Sequence, residues 1–212
     1  MTSRAHRTFE DQLTLVGQLV NIHAKLQKGK GRRHQQNALH HAGVAMTVAA
    51  WESYVERIVM EAMDAVAPLS VVTTPTPPVP PWAKQVFALR RAEVATLVRK
   101  FHAPNAGNAR DLMRAALEFD PCICWTWLVG PRQWDQNEMR RRLDQWVQIR
   151  HSVAHGFSLP ADISWLKGPE GKPRLTLRLL CECKRFFEHV VTQTDRGFAD
   201  HLVNHLKMPA PW

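Results

Sequence analysis

The chain has 212 residues, 45% of them apolar and 22% charged, which is enough to bury one core without disulfides or metals holding it together. Twenty-eight Lys and Arg against nineteen Asp and Glu give a formal net charge of +9, an excess that favours a polyanionic partner and leaves RNA, DNA and an anionic membrane surface equally open. No apolar run approaches a membrane span and the N-terminus MTSRAHRTFEDQ lacks the apolar core of a secretory signal, so the expectation is a cytoplasmic protein with reduced cysteines and no membrane partner.

From Arg4 to Gln27, Phe9, Leu13, Val16, Val20 and Leu26 recur at helical spacing and predict a first amphipathic helix. It runs out at KGKGRRH, where Gly29 and Gly31 interrupt a basic connection made by Lys28, Lys30, Arg32 and Arg33. That connection reads either as a solvated turn or as a phosphate-contacting loop, and Lys30, Arg32 and Arg33 are candidate RNA-binding residues on the second reading. A second helix is predicted from about His34 to Val66, so rich in Ala, Met and Val that more than one face must be buried, which makes it the central helix. The adjacent His40 and His41 diverge on that helix and read as surface or interface histidines.

Six prolines between Pro68 and Pro81 exclude helix interior and central strand and predict a polyproline-like connector or flap. Val86, Leu89, Val94, Leu97, Val98 and Phe101 then predict a helix over 82–101, closed by HAPNAG, with Asn108 as N-cap of a short helix through Leu117. FDPCICWTWLVGPRQ reads as an irregular buried loop, and helix resumes near Trp134 or Asp135. After a turn from Gly156 to Pro173, where DISWLKGPEGKPRLTL has room for a small hairpin around PEGK, a last helix is expected from Leu175 to Leu206. With no internal repeat and no sustained strand alternation, the expectation is one all-α domain over 1–212.

Cys122 with Cys124 and Cys181 with Cys183 invite a zinc reading, but metal sites usually separate their cysteines by two to four residues. On a helix Cys181 and Cys183 point about 200° apart, so neither a metal nor a cofactor is expected. Trp125, Trp127, Trp134 and Trp146 have the faces to stack on bases, although at helical or buried-loop positions tryptophan is more often core.

The stretch MRRRLDQWVQIRHSVAHG carries the chemistry. Leu143, Trp146, Val147 and Ile149 form the inward side of a helix, and Gly156 suits the left-handed position that ends one. Arg150 and His155 therefore lie in its last turns, about 140° apart around the axis, where a long arginine can still swing towards an imidazole over a shared phosphate. Arg140 and Arg141, earlier on the same helix, are further candidate RNA-binding residues. Breaking an RNA backbone without metal needs a base for the 2′-hydroxyl proton, an acid for the leaving 5′-oxygen and positive charge on the developing phosphorane. Histidine titrates in the range where it can act as base or acid, and arginine stays charged and forks across two phosphate oxygens. One His155 cannot make both transfers at once, which leaves either a second copy across a dimer axis or His151 in the same chain.

RHSVAHG resembles the R-x-x-x-x-H motif of HEPN ribonucleases, and AWESYVERIV and FHAPNAGNARDLM are similar to the second helix and an inter-helix segment of the RiboL-PSP-HEPN branch. The resemblance implies an antiparallel helical bundle, here with a proline-rich connector and an extra C-terminal helix. It also implies a homodimer whose two motifs form one composite, metal-independent cleft cleaving RNA by 2′-hydroxyl transesterification. Arg150 and His155 take the places of the essential pair, His151 that of the polar residue after the arginine, and Glu52 that of an acidic residue that orients the cleft. A prokaryotic toxin or defence effector, with an antitoxin protein as partner, is the implied setting. The other reading is a non-catalytic nucleic-acid-binding or adaptor domain, with Arg150 and His155 as cations at a helix C-terminus worth about 0.3–1 kcal/mol each to the dipole.

Overall fold

A computed structural model describes residues 2–25, 36–67, 80–130, 132–168 and 170–212. Among them are six α-helices: α1 (Arg4–Lys25), α2 (Asn37–Ala65), α3 (Pro81–Arg99), α4 (Ala106–Leu117), α5 (Gln136–Ala154) and α6 (Leu177–Asn204). The expected basic loop with Lys30, Arg32 and Arg33, and residues 68–79 of the proline tract, lie outside the described residues. Of the tract's end, Pro80 is extended at φ −58° and ψ 143°, and Pro81 opens α3 where its missing N–H is no loss.

The bundle is built around α2. It buries thirteen residues, among them Trp51, Tyr54, Ile58 and Val59, against α1 on one side and α5 and α6 on others. Trp51 meets Tyr54, Trp125 and Phe187 at ring-centroid distances of 5.8, 6.3 and 6.0 Å. At Gly43 a β-carbon would stand 2.6 Å from Leu180 Cδ1, so the absence of a side chain there lets α6 approach. One contiguous apolar cluster runs through all six helices. Among the described residues no helix is long and apolar enough to cross a membrane.

Several expectations are corrected. Asn105, not Asn108, caps α4: its side chain accepts the Asn108 N–H at 2.8 Å, while the Asn108 amide donates to the Ala103 carbonyl at 2.8 Å. The segment expected to be irregular contains a 3₁₀ turn (Pro121–Cys124) and a hairpin of β1 (Trp127–Val129) and β2 (Arg132–Trp134), with Trp127 opposite Trp134. The segment with room for a hairpin around PEGK holds a 3₁₀ turn (Ser164–Leu166) and, flanking PEGK, one antiparallel bridge between Lys167 and Pro173 in place of longer paired strands. His40 is buried rather than superficial, with its ring 5.0 Å from that of His23. Finally, α3 is helical as expected, but Val86, Leu89 and Leu97 are exposed and Val94 is its one buried residue.

Candidate functional site

The elements that carry the candidate residues are fixed to one another by polar ties. Trp51 of α2 donates its indole N–H to the Pro104 carbonyl at 2.8 Å, which joins AWESYV to HAPNAG. Asp144 of α5 accepts the Ala106 N–H at 2.8 Å, holding the start of α4 against α5. Helix α5 has strong local reasons to begin and end where it does. Asp135 accepts the Glu138 N–H at 2.8 Å and Glu138 accepts the Asp135 N–H at 3.2 Å, a capping box. At the other end Gly156 has φ +70°, the Phe157 N–H donates to the Ser152 carbonyl at 2.9 Å, and the Gly156 N–H to the Val153 carbonyl at 3.4 Å. This is a Schellman closure, and its left-handed position favours glycine, which adopts φ +70° without the strain a β-carbon brings.

That closure presents the motif in two parts. Arg150 leans inward to α2, its Nη2 3.4 Å from Glu52 Oε2, with the two side chains 28% and 18% exposed. His151 and His155 face outward. Their ring centroids are 4.4 Å apart, and Phe157 lies 5.9 and 5.8 Å from them. Among the described residues no hydrogen bond or ion pair joins Arg150 to His155, in keeping with their angular separation on the helix. The structure thus brings Glu52 to Arg150 and His151 to His155, as two adjoining pairs at one end of α5.

Electrostatics distinguishes these pairs. Burial pushes the Glu52 carboxyl above its ordinary range; Arg150 pulls it back, Glu56 adds to the rise and His102 opposes it. Glu56 is also pushed up by burial, against Arg57 and His102. A partly desolvated carboxylate beside a guanidinium fixes the direction in which that guanidinium points. His102, from FHAPNAG, is the residue that sequence reasoning missed: its charge reaches both Glu52 and Glu56, and the only signal for it was its place in that segment.

The remaining candidates stand apart. Arg140 and Arg141 are ten and nine residues before Arg150, roughly 14–15 Å along the helix. Arg140 is half-buried near Asp144 and Cys122, whereas Arg141 is exposed. Trp125 and Trp146 are fully buried and act as core; Trp125 donates its indole N–H to Thr194 Oγ1 at 2.9 Å. Cys183 is buried and Cys181 half-buried on diverging sides of α6. Among the described residues no three His, Cys, Asp or Glu side chains gather as ligands for a metal ion. The chain matches no protein-family model, no curated protein and no solved structure.

Proposed function

We propose that the protein is a metal-independent endoribonuclease of HEPN type, acting by 2′-hydroxyl transesterification. The observation that carries the reading is the arrangement at the C-terminal end of α5: Arg150 oriented by Glu52, beside two exposed imidazoles 4.4 Å apart. In this reading one imidazole, neutral, takes the 2′-hydroxyl proton as the 2′-oxygen attacks phosphorus. The P–O5′ bond breaks, a second, protonated imidazole supplies the proton to the leaving 5′-oxygen, and a 2′,3′-cyclic phosphate remains. Arg150 offsets the charge that builds on the phosphorane oxygens. His155 is the principal proton carrier, and His151, or the His155 of a second copy, is the other. A homodimer that sets two such ends face to face supplies acid and base on opposite sides of the phosphorus, which an in-line displacement requires. A toxin or defence effector acting on RNA, held in check by an antitoxin protein, is the setting that fits this chemistry.

The competing reading, a helical domain that binds nucleic acid or a protein without cutting, draws on the Arg150–Glu52 pair, since a guanidinium already matched by a carboxylate has less charge to offer a phosphate. Purified protein incubated with labelled RNAs in EDTA separates the two. Cleavage to cyclic-phosphate ends, abolished in both Arg150→Ala and His155→Ala, is the expected outcome. Binding without cleavage across several RNAs would overturn the enzyme, and full activity from a monomer by light scattering would overturn the composite cleft.

A further inference from the structure

A cavity of about 480 Å³ opens beside the N-terminal half of α5, away from the arginine and histidine pairs, and its size falls within the range of about 300–1,000 Å³ usual for small-ligand sites. Two indoles form its walls, Trp134 from β2 and Trp165 from the Ser164–Leu166 turn. Both are held from behind. Trp134 meets Trp127 edge-on at 5.6 Å between centroids, and Trp165 packs on Trp146 at 4.7 Å while its indole N–H donates to Gln145 Oε1 at 2.7 Å. The Arg142 guanidinium lies 3.7 Å from the Trp165 ring centroid and 5.2 Å from that of Trp134, and is paired with Glu182.

What is left for a ligand lies at the rim. Arg141 is exposed and has no ion pair among the described residues. The Gln145 carbonyl is taken by Trp165, so its amide N–H groups have no protein acceptor among the described residues, and Ser164 adds a hydroxyl. Glu138 also borders the cavity, but its carboxylate is engaged in the capping box of α5. Arg142 already covers part of both indoles, so a ligand meets their half-buried remaining surface, which together with one uncommitted cation describes a flat aromatic group that carries a phosphate. A bare phosphate has no use for the indoles, and an apolar ligand has none for Arg141.

The position along α5 adds to this. At 100° per residue, Arg141, Gln145, Gln148 and His155 fall within about 80° of one another, an arc that lies away from Met139, Leu143 and Trp146 and takes in the buried Ser152. From Gln145 to His155 the axial distance is about 15 Å, roughly four stacked nucleotide steps of about 3.4 Å each.

We infer that this cavity is a base-binding subsite for single-stranded RNA, taking one nucleobase against Trp134 and Trp165 and its phosphate on Arg141, a few nucleotides from the bond cut at His155. For its substrate the inference rests on the ribonuclease reading above; for its ligand chemistry it rests on the cavity alone.

The test uses the full chain, ¹⁵N-labelled, titrated with a 2′-O-methylated hexaribonucleotide that resists transesterification, and separately with ribose 5-phosphate. Indole N–H signals are assigned with Trp134→Phe and Trp165→Phe. The Trp134 and Trp165 signals are expected to move saturably with the oligonucleotide and not with ribose 5-phosphate. The surface variant Arg141→Ala, which leaves the walls intact, is expected to weaken oligonucleotide binding about tenfold. On cleavable RNA the same variant raises KM with kcat retained. Unmoved indole signals, equal movement with ribose 5-phosphate, or unchanged affinity in Arg141→Ala would each overturn the subsite. Indole shifts and weaker Arg141→Ala binding in a protein that cuts no RNA would uphold the subsite and overturn the ribonuclease.

Discussion

Helices α2 and α3 follow one another in the chain and show the same helical spacing of apolar residues, yet α2 buries thirteen residues and α3 buries one. Trp82, Val86 and Leu89 of α3 are 67%, 57% and 73% exposed, whereas Trp51, Tyr54 and Ile58 of α2 are at 0–1%. Spacing therefore identifies an apolar face but not whether another element arrives to cover it. The difference predicts opposite responses to the same truncation. Trp51→Ala removes an indole from the centre of the core and leaves the Pro104 carbonyl without its donor, at a cost of about 3–5 kcal/mol. In a chain of this length that is roughly 10 °C in Tm by calorimetry. Leu89→Ala should stay within about 0.5 kcal/mol of the parent. A loss at Leu89 comparable to that at Trp51 would break the comparison, because it would mean that the α3 face is covered in solution.

The close burial of α2 also displaces the proton equilibria of the polar groups it carries. At Glu52, burial raises the carboxyl and Arg150 is the leading opposing influence. Arg150→Met should therefore raise the Glu52 carboxyl further, read by ¹³C-carboxyl NMR titration. The sign for stability follows from linkage. A carboxyl raised on folding binds more protons in the native state, so stability falls as pH rises from the ordinary carboxylate value through the raised one. The Arg150→Met variant should lose stability over a window extending to higher pH than the parent's. A Glu52 titration unchanged by the substitution would show that the 3.4 Å pair carries no electrostatic weight.

In the first turn of α2 the sign of the charge reverses. His40 is lowered from the ordinary 6.5, first by burial and then by His23, with His41 and Arg174 acting the same way and the Leu175 backbone opposing them; His41 is lowered by burial. A histidine that is lowered on folding takes up its proton more readily in the unfolded chain. Its contribution is then intact above pH 6.5 and lost as pH falls below it, at no more than about 1.4 kcal/mol per pH unit for one proton. In His40→Leu, denaturant midpoints measured between pH 7 and pH 5 should fall less steeply than in the parent. Parallel slopes would place the acid sensitivity elsewhere.

What was legible in the sequence was local. Helix α5 could be read end to end because Asp135, Glu138 and Gly156 act within a turn of themselves, and of the inward positions, Leu143, Trp146 and Ile149 are fully buried while Val147 is half-buried against the core. The cap of α4 was misplaced because Asn105 and Asn108 are both competent. The choice fell to the asparagine whose side chain reaches three residues ahead, while the other turned back to Ala103. The hairpin escaped notice because three-residue strands are too short to show an alternating period. His40 and the Arg150–Glu52 pair depend on partners far away in the chain. Nothing in HHAG announces His23, and Glu52 stands 98 residues from Arg150, so its assignment rested on the family resemblance rather than on spacing.

The smallest expected effect lies where the two helices meet. Arg91 of α3 donates through Nε to Asp64 Oδ1 of α2 at 2.7 Å, an ideal length, yet the side chains are 43% and 55% exposed. Water screens such a pair, and holding two long side chains in one geometry costs entropy, so exposed pairs are typically worth 0–1 kcal/mol. Asp64→Asn should therefore move the denaturant midpoint only slightly, and a Debye length of about 8 Å at 0.15 M salt predicts that raising the salt shrinks even that difference. The same single charge removed from Glu52, in Glu52→Gln, should instead change where Arg150 points, with an effect that salt leaves largely in place because the carboxylate is 18% exposed. If Asp64→Asn proved as costly as Trp51→Ala and insensitive to salt, the ion pair would be buried in solution, and α3 would belong to the covered part of the molecule after all.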